Sequence, residues 1–204
     1  LPAQRVASGH MASIWVESLG RSFEQALELL AAAVQGCPDE LWEVPMWRVP
    51  VPGPEHPFLG ADWIPVIDAA LRDSLASQWV RRRSTPWSVA WHALETFDYE
   101  LTGEFGPWAP PPPFSGHPHW RDLTSLPVAW SRSEMLAYVE YCRLQADRTL
   151  AGMTDEKAST PLPRAHRYRG QPYAWILTGL VGHTTEHAAQ IRQFITAAGM
   201  APDM

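Results

Sequence analysis

His183 and His187 stand four residues apart in GHTTEHAAQIRQF, residues 182–194. On an α-helix that spacing puts both imidazoles on one face, one turn above the other. Neutral imidazole is a common ligand for zinc, nickel and other borderline cations, so such a pair can point at one ion. Two ligands from one helix are rarely sufficient, and a third must come from a neighbouring element. His92, within PWSVAWHALE, is the natural candidate. Its neighbours Trp91, Leu94 and Phe97 describe a buried helix, where a histidine needs a partner for each ring nitrogen. An H-x-x-x-H pair alone is more often two surface histidines. The third histidine gives the metal reading its weight.

Other residues compete for the chemistry. His183 to His187 also has the H-x-x-E-H form of inverzincin proteases, where the Glu is a general base. Those enzymes take a further Glu ligand from well downstream, and no Glu follows Glu186 here. The helix turns Glu186 about 100° away from His187, so it is expected to be exposed. Glu95, one turn after His92, either supports that ring or is structural, and Tyr99 is read the same way. Arg164, His166, Arg167 and Arg169 form a basic loop, expected to be solvated. If it overhangs the site, it can hold carboxylates of a cosubstrate or substrate. His117 and His119 flank Pro118 in a long loop and make a weak metal pair at best. Trp87, Trp91 and Trp175 are expected in the core, with one or two of them lining a hydrophobic pocket as the alternative.

The elements that position these side chains follow from apolar period and caps. Leu19, Phe23, Ala26, Leu27, Leu30 and Val34 recur in steps of three and four, predicting a helix from about Ile14 to Val34. Gly36 and Pro38 stop it. Residues 37–60 read as a loop, because Pro45, Pro50, Pro52, Pro54 and Pro57 forbid a regular helix. Asp62 to Val80 carries Ile64, Ile67, Leu71 and Leu75 at helical spacing and reads as a shorter helix beside the main ones. Thr85 and Pro86 then form a helix start, a cap followed by a first-turn proline. That helix runs to about Gly103, with apolar positions so widely spread that it is predicted to be buried all round. Gly106 to Pro127, with four prolines in a row at 110–113, favours extended backbone. Ser131 and Glu134 have capping-box spacing ahead of Met135, Leu136, Val139, Cys142 and Leu150. A proline-containing basic loop spans Thr160 to Arg169. A last helix runs from near Pro172 to about Ala198, with Gly199 as its cap. Four long helices without a strand pattern predict an all-α bundle, and there is no internal repeat.

Composition narrows the partners. The chain has 204 residues, 46% hydrophobic and 19% charged, enough for one domain with a sizeable core and short for two. His10-Met11-Ala12-Ser13 has the look of a vector junction, and residues 1–12 are set aside as a tag or disordered start. A single domain is expected over 13–204. No apolar run reaches the roughly 18 residues that cross a bilayer. The net charge of −6 argues against nucleic acid, and the run Arg81-Arg82-Arg83 reads as a solvated linker. Two cysteines, Cys37 and Cys142, make no disulfide framework. A reducing cytoplasm fits, with Cys142 as a small buried hydrophobe.

With these pieces in place the sequence resembles the DinB-like superfamily, which includes YfiT-type metal hydrolases and several low-molecular-weight-thiol transferases. The matching pieces are PWSVAWHALETFDYELTGEF with the following APPPPF, the SRSEMLAYVEYC helix start, and GHTTEHAAQIRQF. They cover most of residues 84–196 in the family's order, one histidine in the second main helix and a pair in the last. The resemblance implies a DinB-like four-helix bundle with long crossover loops, to which this chain adds one short helix. It implies that His92, His183 and His187 hold one divalent metal ion, zinc or nickel, and that the chain forms a homodimer. The 37–80 insertion is less typical of the family. Three histidines leave a coordination position open, as in catalytic sites. A metal there lowers the pKa of water or deprotonates a thiol. Transfer of a low-molecular-weight thiol to an electrophilic small molecule is therefore expected ahead of metal-dependent hydrolysis. Non-catalytic binding of a metal or small molecule, or a purely structural bundle, are the rival readings. No residue is assigned as the catalytic base.

Overall fold

The computed structural model describes residues 14–47, 82–116 and 128–200. These residues are mostly helical, and among them there is no strand, only one isolated bridge between Pro161 and Pro172. The chain is therefore all-α over its described part. The predicted helix over Asp62–Val80, the His117/His119 pair and residues 1–12 lie outside the described residues.

The first helix, α1 (Ile14–Gln35), buries Leu19, Phe23, Ala26, Leu27, Leu30 and Val34, the stripe that its period predicts. Gly36 closes it by donating its N–H to the Ala32 carbonyl at 2.9 Å. The expected loop from residue 37 begins instead with one helical turn, α2 (Asp39–Trp42), whose N-cap is Pro38. Pro38 ends one helix and, with its fixed φ, can begin the next. The turn aims the Trp42 indole N–H at the Trp130 carbonyl, 2.7 Å away.

The helix α3 (Pro86–Leu101) starts where the cap predicts, with the Thr85 hydroxyl accepting from the Ser88 N–H at 3.4 Å. Its side chains are buried on nearly every face, but His92, Thr96 and Tyr99 form a stripe that is only half-buried. Next, α4 (Arg132–Ala151) opens with both hydrogen bonds of a capping box. Glu134 N–H donates to Ser131 Oγ at 3.2 Å, and Ser131 N–H donates to the Glu134 carboxylate at 2.8 Å. Ser131→Ala removes the first of these and leaves the second, whose donor is backbone, and is expected to cost about 1 kcal/mol. A thermal melt should then show a Tm about 2–4 °C lower; an unchanged Tm would mean the cap contributes nothing.

A short helix, α5 (Asp155–Ser159), precedes α6 (Tyr173–Ala197). Gly199 follows α6 with a φ of 77°, the left-handed conformation expected just past a helix end. The four long helices pack side by side in a ring, α1 against α4 and α6, and α3 against the same two. Tyr173 at the start of α6 donates to the Leu101 carbonyl at the end of α3, so these neighbours are antiparallel. Between them lies one apolar core that includes Phe23, Leu27, Leu94, Phe97, Leu177 and Ile191. Each such side chain contributes about 1.5–3 kcal/mol on burial.

The proline-rich connection does more than span a surface. After the predicted proline run it makes a 3-10 turn over Phe114–Gly116. Phe114 is buried there and stacks on Tyr138, with ring centroids 4.4 Å apart. Each of the first three prolines precedes another and is pushed out of the helical region by it, but the first residue beyond the run is free to turn inward. Cys37 and Cys142 are both free and buried.

Candidate metal centre

The core stripe of α6 runs through Leu180, Thr184, Ala188 and Ile191. His183 and His187 each stand one residue before a member of that stripe, which rotates them together toward α3. His92 meets them from the half-buried stripe of α3. Its ring centroid lies 5.0 Å from that of His183 and 5.1 Å from that of His187, and the pair on α6 is 4.5 Å apart. One nitrogen from each of the three rings falls within 4.8 Å of the other two. Among the described residues no other three His, Cys, Asp or Glu side chains gather in this way. The structure thus brings together all three residues that the sequence singles out.

The fit to a cation can be tested on the closest pair. Nε2 of His187 and Nε2 of His183 are 3.2 Å apart. Two nitrogens on one tetrahedral zinc, at 2.0–2.1 Å each, would stand about 3.3 Å apart. The protonation pattern agrees. Gln190 Nε2 donates to the Glu186 carboxylate at 3.4 Å, which turns Gln190 Oε1 toward His187 Nδ1 at 2.8 Å. A carbonyl oxygen only accepts, so Nδ1 carries the proton and Nε2 presents a lone pair into the cluster. Nδ1 of His183 is buried with no hydrogen-bond partner among the described residues. The donor set fits a divalent ion.

Electrostatics keep the imidazoles neutral at pH 7. Burial, then His187, His183, Arg83 and Arg167, holds His92 well below the usual histidine pKa. Burial, followed by His187 and Arg167, lowers His183 to about 4. Burial also lowers His187, against the opposing pull of Gln190 and Glu186. Neutral imidazoles are the form that binds a metal.

A small cavity of about 100 Å³ opens beside His183, bordered by Thr96, Glu100, Arg167, Tyr168 and Trp175. Two expectations change here. The basic loop is not wholly solvated, because His166 is 8% exposed and its Nε2 lies 3.2–3.3 Å from both oxygens of the buried Glu100. Nδ1 of His166 accepts from the Tyr168 N–H at 3.1 Å, which puts the ring proton on Nε2, aimed at Glu100. The loop is folded down onto α3 by this one side chain, and it carries Arg167 to the cavity. Trp175 is not in the core; it is 44% exposed and stands edge-on to Tyr168 at 4.9 Å. Trp87 and Trp91 are buried as expected. Tyr99 packs against Phe105 and Trp108, a structural role, and Glu95 is buried. Glu186 is exposed, as its helical position predicts, yet it reaches the cluster through Gln190. Gln190 escaped the sequence reading, although its place three residues after His187 put it on the same helical face.

A larger groove of about 730 Å³ lies at the far end of α3 and α6, against Leu101, Gly103, Arg148, Lys157 and Tyr173. It contains none of the three histidines, so size and chemistry point to different places, and the chemistry decides the site. Among the described residues no helix is long and apolar enough to cross a membrane. Comparison with protein-family models, characterised proteins and solved structures finds no match.

Proposed function

We propose that the chain is a DinB-like four-helix protein that holds one divalent metal ion through His92, His183 and His187. On this reading it transfers a low-molecular-weight thiol to an electrophilic small molecule. The observation that carries it is the convergence of three neutral imidazoles, one nitrogen of each within 4.8 Å of the others. Four long helices packed in a ring are what a bundle of that family requires. The homodimer belongs to the same reading and is checked by sedimentation.

Zinc or nickel held by three histidines would supply a Lewis acid that favours the deprotonated form of a thiol at neutral pH. The chain's own residues do the rest. Gln190 keeps the His187 proton on Nδ1, so the other nitrogen stays available. The depressed basicity of His92 and His183 keeps protons from competing for the site. Thiol transfer is placed ahead of hydrolysis on the resemblance to the family's thiol transferases, and two carboxylates near the site are engaged elsewhere. Glu186 is turned outward onto Gln190, and Glu100 is occupied by His166. Neither is placed as a general base, and a thiol or water made acidic by a metal would need none.

The test is turnover by zinc- or nickel-loaded protein with cysteine or glutathione and 1-chloro-2,4-dinitrobenzene. A carbon–sulfur bond forms, chloride leaves, and the thiol proton goes to buffer. The expected result is metal-dependent product that chelation abolishes. Release of nitrophenol from p-nitrophenyl acetate without thiol would replace transfer by hydrolysis. Metal binding without either activity would leave a binding protein. Gln190→Ala is expected to weaken zinc binding about 10–100-fold, read by competition with a chromophoric chelator. Gln190→Glu, which keeps an acceptor, should restore most of it; equal loss in both would overturn the acceptor role, and no loss in either would remove Gln190 from the site.

A further inference from the structure

We infer that the cavity beside His183 is a subsite for the carboxylate end of a small, partly apolar acid, with Arg167 as the anion's partner and Trp175 as its wall. This deepens the proposed function by naming the substrate class, and it rests on that reading only for the cavity's link to the metal centre.

The argument begins with Arg167. It is exposed, no acid pairs with it among the described residues, and its guanidinium lies 4.5 Å over the Tyr168 ring. Stacking on an aromatic face holds the planar fork in place while leaving its N–H donors free for a carboxylate. Tyr168 and Trp175 meet edge to face at 4.9 Å, so one cation and two aromatic surfaces converge on the same opening. An exposed tryptophan of this kind, beside a polar anchor, is more typical of binding surfaces than of bare solvent-facing helix.

The floor is prepared as well. Ile176 and Leu180 supply apolar surface, and Gly179 leaves the α6 side open, with nothing within 4 Å of where a Cβ would stand. Glu100 also borders the cavity, and a bare carboxylate there would repel an acid. Both its oxygens lie against the Nε2–H of His166, which blunts that charge toward the opening. The same contact holds the loop. Backbone bonds from Leu162 to Gln171 at 2.7 Å and from Gly170 to Leu162 at 3.0 Å close it at its base. Gly170, at a φ of 80°, makes that closure possible. Arg167 is thus carried on a tethered loop at the mouth of a cavity whose inner wall includes His183.

The test compares benzoate with benzamide, which share a shape and differ in charge, by calorimetric titration of the full chain at low ionic strength. Titrations are run with and without one equivalent of zinc. Benzoate is expected to bind at least ten-fold more tightly than benzamide. Arg167→Gln should erase that preference, and Trp175→Ala should weaken both ligands. Arg164→Gln removes the same charge from the same loop outside the cavity, and should change neither. Arg167, Arg164 and Trp175 are all exposed, and circular dichroism checks that each variant keeps its helices. Equal binding of the two probes overturns the subsite, as does a preference that survives Arg167→Gln or one lost equally in Arg164→Gln. Metal content of Arg167→Gln is measured alongside and should match the parent. Failure of the subsite leaves that content unchanged, whereas failure of the metal centre leaves the zinc-free titrations intact.

Discussion

The parent chain is expected to purify with about one equivalent of metal and His187→Ala without it, and the variant is expected to bind added zinc at least about 100-fold more weakly. Loss of an outer partner costs about 10–100-fold, and loss of a ligand itself must exceed that. His187 is the informative position because Gln190 already holds its tautomer, so the alanine removes a nitrogen that is oriented before any ion arrives. His183→Ala and His92→Ala should behave alike, since each supplies one of three converging nitrogens. Glu186→Ala touches the cluster only through Gln190 and should have a far smaller effect. Elemental analysis of the parent and of each variant reads the result. A parent chain that is metal-free and takes up neither zinc nor nickel would sink the three-histidine centre, and with it the transfer chemistry.

The second large effect is expected in acid, without metal. His183 titrates at about 4 in the folded protein, against 6.5 for an unburied histidine. Between those values the unfolded chain takes up a proton that the folded chain refuses. Stability from this group is therefore present above pH 6.5 and lost as pH falls toward 4. The loss amounts to about 3 kcal/mol for His183 alone, and His92 and His187 shift in the same direction. Asp98 opposes it: burial raises its carboxyl to about 6, so that group stabilises the fold as it protonates in nearly the same window. The clean readout is a difference. The unfolding free energy of the metal-free parent minus that of His183→Gln should fall by about 3 kcal/mol between pH 7 and pH 4. A difference that stays constant with pH would mean His183 is not held neutral by its surroundings. Saturating zinc should raise the stability of the parent at pH 7 and lose its effect in acid, because protons compete for the same nitrogens.

Most of the described helical framework, and two of the three candidate ligands, could be read from local order in the chain. A 3.6-residue apolar period, a Thr-Pro start at 85–86, a capping box at 131–134 and a glycine at 199 each act within one or two turns. They therefore locate helices without knowledge of what packs against them. The i, i+4 placement of His183 and His187 is equally local. His92 came into the reading through its buried-looking context and a family resemblance, because nothing near residue 92 says which helix it will face. Only the packing of α3 antiparallel to α6 brings it within 5.1 Å of both partners. The places of Trp175 and His166 depend on contacts of the same distant kind. A tryptophan in an apolar helix is core only if a neighbour covers its face, and here the face opens on a cavity. A histidine in a basic loop is solvated only if no buried acid claims it, and Glu100 does. The sequence by itself determined the four long helices of the described residues and which residue types are available for chemistry. The tertiary structure decided which of them meet, because burial and charge pairing depend on side chains distant along the chain.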